Sequence, residues 1–201
     1  EAAWAADGRG RQADGGRANF TLLSGATIAS HADENIWRHV VSLQSFGPHV
    51  RYLSDHPEPF RFVHTPLVGR KWPLAKDMSV AGGHLRTGGQ LFLKGLGMHS
   101  KAQAFYALDR PYARFEAELA IDETAAGGGS VVFLIAHDAS GKSQFAGKPI
   151  VVRGGDPPVP VSIDITGARR LALGGLEAER GDVLDRANWL NARLIPAPNA
   201  E

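Results

Sequence analysis

The sequence contains no cysteine among its 201 residues. That excludes a disulfide framework, thiolate zinc sites, iron–sulfur clusters and a cysteine nucleophile. It also lacks a charge surplus: 22 basic residues stand against 21 acidic ones, a net charge of +1. A dedicated nucleic-acid binder needs a basic excess on one face, so that class is set aside. No apolar run approaches the roughly 18 residues that cross a bilayer, so no membrane insertion is expected. Catalytic signatures are missing as well. No histidines stand as H-E-x-x-H, and no serine sits in G-x-S-x-G. Gly95-Leu96-Gly97 has neither the third glycine nor the strand-to-helix setting of a dinucleotide loop. Gly141-Lys142-Ser143 ends like a phosphate loop, but Ala136 stands where the first glycine belongs. Helical periodicity and fixed-period repeats are absent too.

Glycine (24) and proline (12) are abundant, together about 18% of the chain. This suits many short strands joined by turns. Residues 1–18 are small, polar and glycine-rich and read as a flexible lead-in. Residues 19–50 hold short strand-like runs, including Asn19–Ser30 around a Ser-Gly turn and Val40–Gln44. They read as the end of an upstream β-unit, in a chain that opens on Glu1 as an excised piece would. From Arg51 the texture changes. Phe60–Thr65 is strand-like, and a long loop follows over Val68–Gly89. Ala113–Asp122 alternates, with Phe115, Ala117, Leu119 and Ile121 on one face and Glu116 and Glu118 on the other. Ser130–Asp138 is nearly all apolar, as a central strand would be. Val159–Thr166 alternates again. Arg153–Asp156 reads as a tight turn held by an Arg–Asp contact, and residues 196–201 as a tail. About eight strands without a helix predict an all-β sandwich or jelly roll over 51–195.

Two segments carry candidate chemistry. One is the long loop with Trp72, Lys76, Asp77, His84 and Arg86, followed by Gly-Leu-Gly-Met-His-Ser. The other is Gly181–Trp189, with Asp182 and Asp185 just ahead of an aromatic residue. Sugar recognition uses this mixture, an aromatic face for the C–H side of a pyranose and bidentate polar groups for its hydroxyls. Trp189 is equally explained by core packing. Asp182 and Asp185 are equally explained by turn capping or by a calcium site, which takes loop carboxylates; Asp77 and Asp185 would serve if their loops meet. His56 with His64, or His84 with His99, could meet only in three dimensions. A hydrolase would need two carboxylates facing across a cleft, drawn from Asp77, Asp182, Asp185 and Glu177.

The order of these segments resembles the NPCBM/NEW2 domain. The matching stretches are Arg51–Asp55, Lys94–Ser100, Phe105–Glu123, Gly129–Ile135, Val151–Leu173 and Gly181–Leu194, with a style close to planctomycete members. The resemblance implies a galactose-binding-like jelly-roll β-sandwich of about eight or nine antiparallel strands. It implies a non-catalytic module for galactose-containing or related glycans, attached to glycoside hydrolases or other exported proteins. The expected setting is therefore extracellular or periplasmic, with a glycan and the flanking domains of a parent protein as partners. Some relatives carry a structural Ca2+, for which Asp77, Asp185 and Asn188 are the candidates here. Asn188 and Arg186 replace the aspartate and histidine found in many members. His99, from Gly-Leu-Gly-x-His, and Trp189, from Asp-x-Ala-x-Trp, carry over by motif. Trp72, His84, Arg86, Arg153 and Asp182 are added on chemistry alone. Gly174-Gly175 is expected to loosen its strand. The competing reading is a scaffold module that docks on a neighbouring domain.

Overall fold

The computed structural model describes residues 17–21, 27–31 and 50–198, apart from positions 68, 70 and 180. Contacts divide the chain into a unit ending at Pro48 and one beginning at His49. In the first, β1 (Arg17–Thr21) pairs antiparallel with β2 (Thr27–His31). β1 begins inside the stretch read as a lead-in, and the strand expected at 40–44 lies outside the described residues.

Among its described residues, the second unit's regular structure consists of strands, apart from one 3-10 turn at Glu123–Ala125. In chain order these are β3 (Arg51–Tyr52), β4 (Arg61–His64), β5 (Ala75–Lys76), β6 (Leu85–Thr87), β7 (Gln90–Phe92), β8 (Gly95–His99) and β9 (Ala102–Ala107). There follow β10 (Tyr112–Ile121), β11 (Ser130–His137), β12 (Gln144–Phe145), β13 (Ile150–Arg153), β14 (Val159–Asp164), β15 (Arg170–Glu177) and β16 (Arg186–Pro196). The surplus over the expected eight or nine is made of short strands. The segment 68–89 is thus not one loop, since it contains β5 and β6.

One antiparallel sheet runs β14-β10-β16-β8-β5, with β3 also on β16; the other runs β12-β11-β15-β9-β4, with β13 also on β11. Pro160 sits on edge strand β14, the sheet position that tolerates a residue without an N–H donor. The alternation read from the sequence sets the inner faces. Phe115, Leu119 and Trp189 from the first sheet and Tyr106, Phe133 and Leu171 from the second join in one buried cluster, so the two sheets pack face to face. On the opposite side of the first sheet, Ala120 and Leu190 pack against Leu85 and Phe92 of the β6–β7 hairpin.

Glycines in two strands have different roles. A Cβ on Gly97 would fall 2.3 Å from the Met78 carbonyl oxygen and 2.6 Å from the Val80 nitrogen. The glycine lets the 78–80 segment lie on β8, which accounts for the Gly-Leu-Gly run. Gly174 and Gly175 do not loosen β15. They pair with Leu134 and Phe133 on one side and with Gln103 and Ala102 on the other.

Candidate functional site

The antiparallel order brings the end of β8, the start of β16 and the start of β11 to one end of the sandwich. His99 closes β8, and Trp72 lies in the segment just before β5. The Trp72 and His99 rings stack nearly parallel, with centroids 5.6 Å apart and planes 6° from parallel. His64, at the end of β4, meets His99 edge-on at 5.6 Å. Its Nδ1 accepts the Trp72 amide at 3.0 Å. This bond and the stack fix both the backbone and the ring of a half-buried tryptophan. Burial holds the His64 pKa below its ordinary value, helped by His99 and Lys71, while Asp182 opposes the shift.

Two carboxylates build the other wall. Asp182 accepts the Leu67 amide at 2.9 Å and so ties the loop before β16 to the loop after β4. Asp185 is fully buried; its Oδ1 accepts the Ser130 amide at 2.7 Å and its carbonyl accepts the Ser100 amide at 3.1 Å. Burial raises the Asp185 carboxyl above its ordinary range. Among the described residues His99 Nδ1 is buried without a hydrogen-bond partner, whereas Ser100 lies against both the Asp185 carboxylate and the His64 ring. Unpaired buried polar atoms are costly, so such a group calls for water or a ligand group.

The other expected residues are placed as follows. Arg153 lies at the same end, exposed, with its guanidinium 2.6 Å from Glu179. Its turn is held by the expected Arg–Asp contact, the Arg153 amide donating to Asp156 at 2.9 Å. His84 and Arg86 are exposed around the β6–β7 hairpin. That hairpin hangs on Asp122 through the Arg86 amide (3.4 Å) and on Glu123 through the Gly89 amide (3.3 Å). Trp189 corrects the expectation of a sugar contact. It is wholly buried between the sheets, 5.0 Å from the Phe133 ring and 6.4 Å from that of Phe115, and presents no face to solvent.

The expected calcium ligands do not come together. Asp77 flanks the Gly95 end of β8, where it accepts the Gly95 amide and the Lys94 ammonium, each at 3.0 Å. Asp185 borders the opposite end of that strand. Asn188 is buried in between and donates to Asp122 at 2.7 Å. Among the described residues no three His, Asp or Glu side chains are grouped to hold a metal. Of the carboxylates weighed for hydrolysis, Asp77 is paired with Lys94, Glu177 faces Lys101 at 3.4 Å, Asp182 holds a loop and Asp185 is buried.

Sequence reasoning missed Asp122, and it weighed His64 with His56, whereas the ring that His64 meets is His99, reached through β4–β9 pairing. Asp122 did carry a signal, an Asp ahead of Glu-Thr-Ala, and it caps the 3-10 turn by accepting the Thr124 amide at 3.0 Å. Among the described residues no helix is long and apolar enough to cross a membrane.

A search of curated proteins finds no match. Solved structures do match. The structure of the M60 catalytic domain with the CBM51-1 and CBM51-2 domains of Clostridium perfringens ZmpB is 29% identical, with a TM-score of 0.61 over 74% of this chain and 15% of that one. The CBM51-2 and INT domains of ZmpB are 23% identical, with a TM-score of 0.63 over 73% of this chain and 31% of that one. CBM51 from Clostridium perfringens GH95, solved with methyl-galactose, is 22% identical, with a TM-score of 0.61 over 72% of this chain and 99% of that one. The chain therefore spans about a third or less of the ZmpB structures and nearly all of the GH95 module. The family model of the NPCBM/NEW2 domain matches residues 50–195. With its two antiparallel sheets and this match over most of its length, the chain belongs to the NPCBM/NEW2 family of carbohydrate-binding-module β-sandwiches.

Proposed function

We propose that the module binds galactose-containing glycans without transforming them, at the loop end around Trp72 and His99, and that it brings a larger exported protein to its substrate. The observation that carries this is the locked, half-exposed Trp72 ring stacked on His99. A held aromatic ring costs little ordering entropy on binding. Asp182 and Arg153 stand at the same end, already engaged with the Leu67 amide and with Glu179, so a sugar hydroxyl would share or replace those contacts. The GH95 module solved with methyl-galactose supports the choice of sugar, and the M60-linked modules of ZmpB support a targeting role.

Methyl galactoside titrated into the full chain should bind weakly, with Kd on the order of 10 μM to 1 mM, as expected for a small ligand in a shallow site. Trp72→Ala should weaken binding by about tenfold or more while the protein stays folded. Folded protein that ignores every galactoside would overturn the reading. Exposed Leu67, Val183 and Leu184 flank the same end and favour protein docking as the second reading. In that case a neighbouring domain, not a sugar, would protect these residues.

A further inference from the structure

A groove of about 270 Å³ lies on the outer face of the second sheet. It sits toward the His137 end of β11, whereas Ser130, at that strand's start, touches Asp185. Its construction follows from one row across the strands. Phe145 faces Ala136, Ala136 faces Ala172, Ala172 faces Phe105, and Phe105 faces Arg61. Strand alternation puts this row on the side opposite the core residues Ile135, Leu171 and Tyr106. The two alanines form a low floor. Phe145, 69% exposed, stands beyond one edge; Phe105 and Phe60, the latter 58% exposed and 6.2 Å from the Phe105 ring, stand at the other.

The polar lining is preorganised and carries surplus positive charge. Asp138 accepts the Arg169 and Arg170 amides, both at 2.8 Å, and the Arg170 Nε at 2.9 Å. It is thereby committed to holding Arg170, whose terminal nitrogens have no partner among the described residues. The Arg61 guanidinium lies 5.8 Å from the Phe105 ring centroid and has no carboxylate partner among the described residues. His137 Nδ1 accepts the Ala139 amide at 3.2 Å, which leaves Nε2 as the ring's other polar atom. Two guanidiniums and one carboxylate thus line an aromatic-walled groove close to the ~300 Å³ lower bound of small-ligand sites. A purely apolar ligand would desolvate these guanidiniums without pairing them, and a neutral sugar would leave the charge surplus unused. We propose that this groove is a second glycan site, for a sugar unit bearing a carboxylate or sulfate, with its C–H face on Phe60 and Phe105 and its anion on Arg61 and Arg170. The site does not depend on the reading of the loop end.

The test is a titration of the 15N-labelled full chain with galacturonate, with galactose 6-sulfate and with neutral methyl galactoside. The amides of Ala136, Ala172 and Phe105 should shift with one or both acidic sugars, and which one responds names the anion. Amides of Leu67 and Ser100 report the loop end separately. Added salt should weaken the groove shifts. Arg61→Gln should lower affinity for the acidic sugar about tenfold at an unchanged melting temperature, and Ala172→Leu should block the floor. Absence of groove shifts with both acidic sugars, equal shifts with the neutral galactoside, or an Arg61→Gln variant that binds as the parent does would each overturn the proposal.

Discussion

Trp189 offers the sharpest test of how the two tryptophans divide their roles. Its side chain is wholly buried between the sheets, against Phe133 and Phe115. Trp189→Ala would empty the largest side-chain volume in the core. Such truncations cost about 3–5 kcal/mol. For a chain of this length each kcal/mol shifts the melting temperature by about 2–4 °C, so the variant should melt roughly 6–20 °C lower. Trp189→Phe should behave differently. The indole Nε1 is buried without a hydrogen-bond partner among the described residues, and removing it relieves about 1–3 kcal/mol of desolvation. This offsets most of the smaller cavity that phenylalanine leaves, so the net change should stay within about 1.5 kcal/mol. Thermal melts of the full chain, with galactoside titration on the same samples, read both effects. Two results would refute the reasoning. One is a Trp189→Ala variant melting within about 2 °C of the parent. The other is a Trp189→Phe variant that keeps its stability but loses sugar binding, which would place the indole in the site.

Other outcomes follow from the same packing. Gly97→Ala should destabilise by about 1–3 kcal/mol, because its Cβ meets backbone atoms of Met78 and Val80 that cannot swing aside; chemical denaturation checks this. Asp185 should make stability fall as pH rises. Burial raises its carboxyl in the folded state above the ordinary 3.8, so between that value and the folded pKa the native form holds the extra proton, and the stabilisation is lost as pH climbs through the folded pKa. Asp185→Asn keeps an acceptor for the Ser130 amide and should flatten this part of the stability–pH curve, measured by denaturant titration across acidic to neutral pH.

The arrangement also separates what each kind of information supports. Phe115, Leu119 and Ile121 against Glu116 and Glu118 have a period of two, and that local property assigns their faces before any partner strand is known. The apolar run at Ser130–Asp138 marks a strand with neighbours on both sides for the same reason, and β11 has them. The ordered segments from Arg51 onward carry the family and its sandwich. Short strands such as β5 and β6 escaped notice because two or three residues are too few to show a period.

The amino-acid sequence thus determined the fold class, the faces of the long strands and the family, since each rests on residue types and on spacings within a strand. Which aromatic ring is reachable was decided only by tertiary structure. Trp72 and Trp189 both lie among polar residues in the chain, yet stacking the sheets buries one completely and leaves the other half-exposed on His99. The same holds for charge. Asp77 and Asp185 look like partners for one metal, but β8 runs between them and Lys94 occupies the first. His64 reaches His99, and Phe145 aligns with Arg61, only because strands distant in sequence pair side by side. Burial and pairing are supplied by whatever the fold packs against a residue, and no local spacing records that.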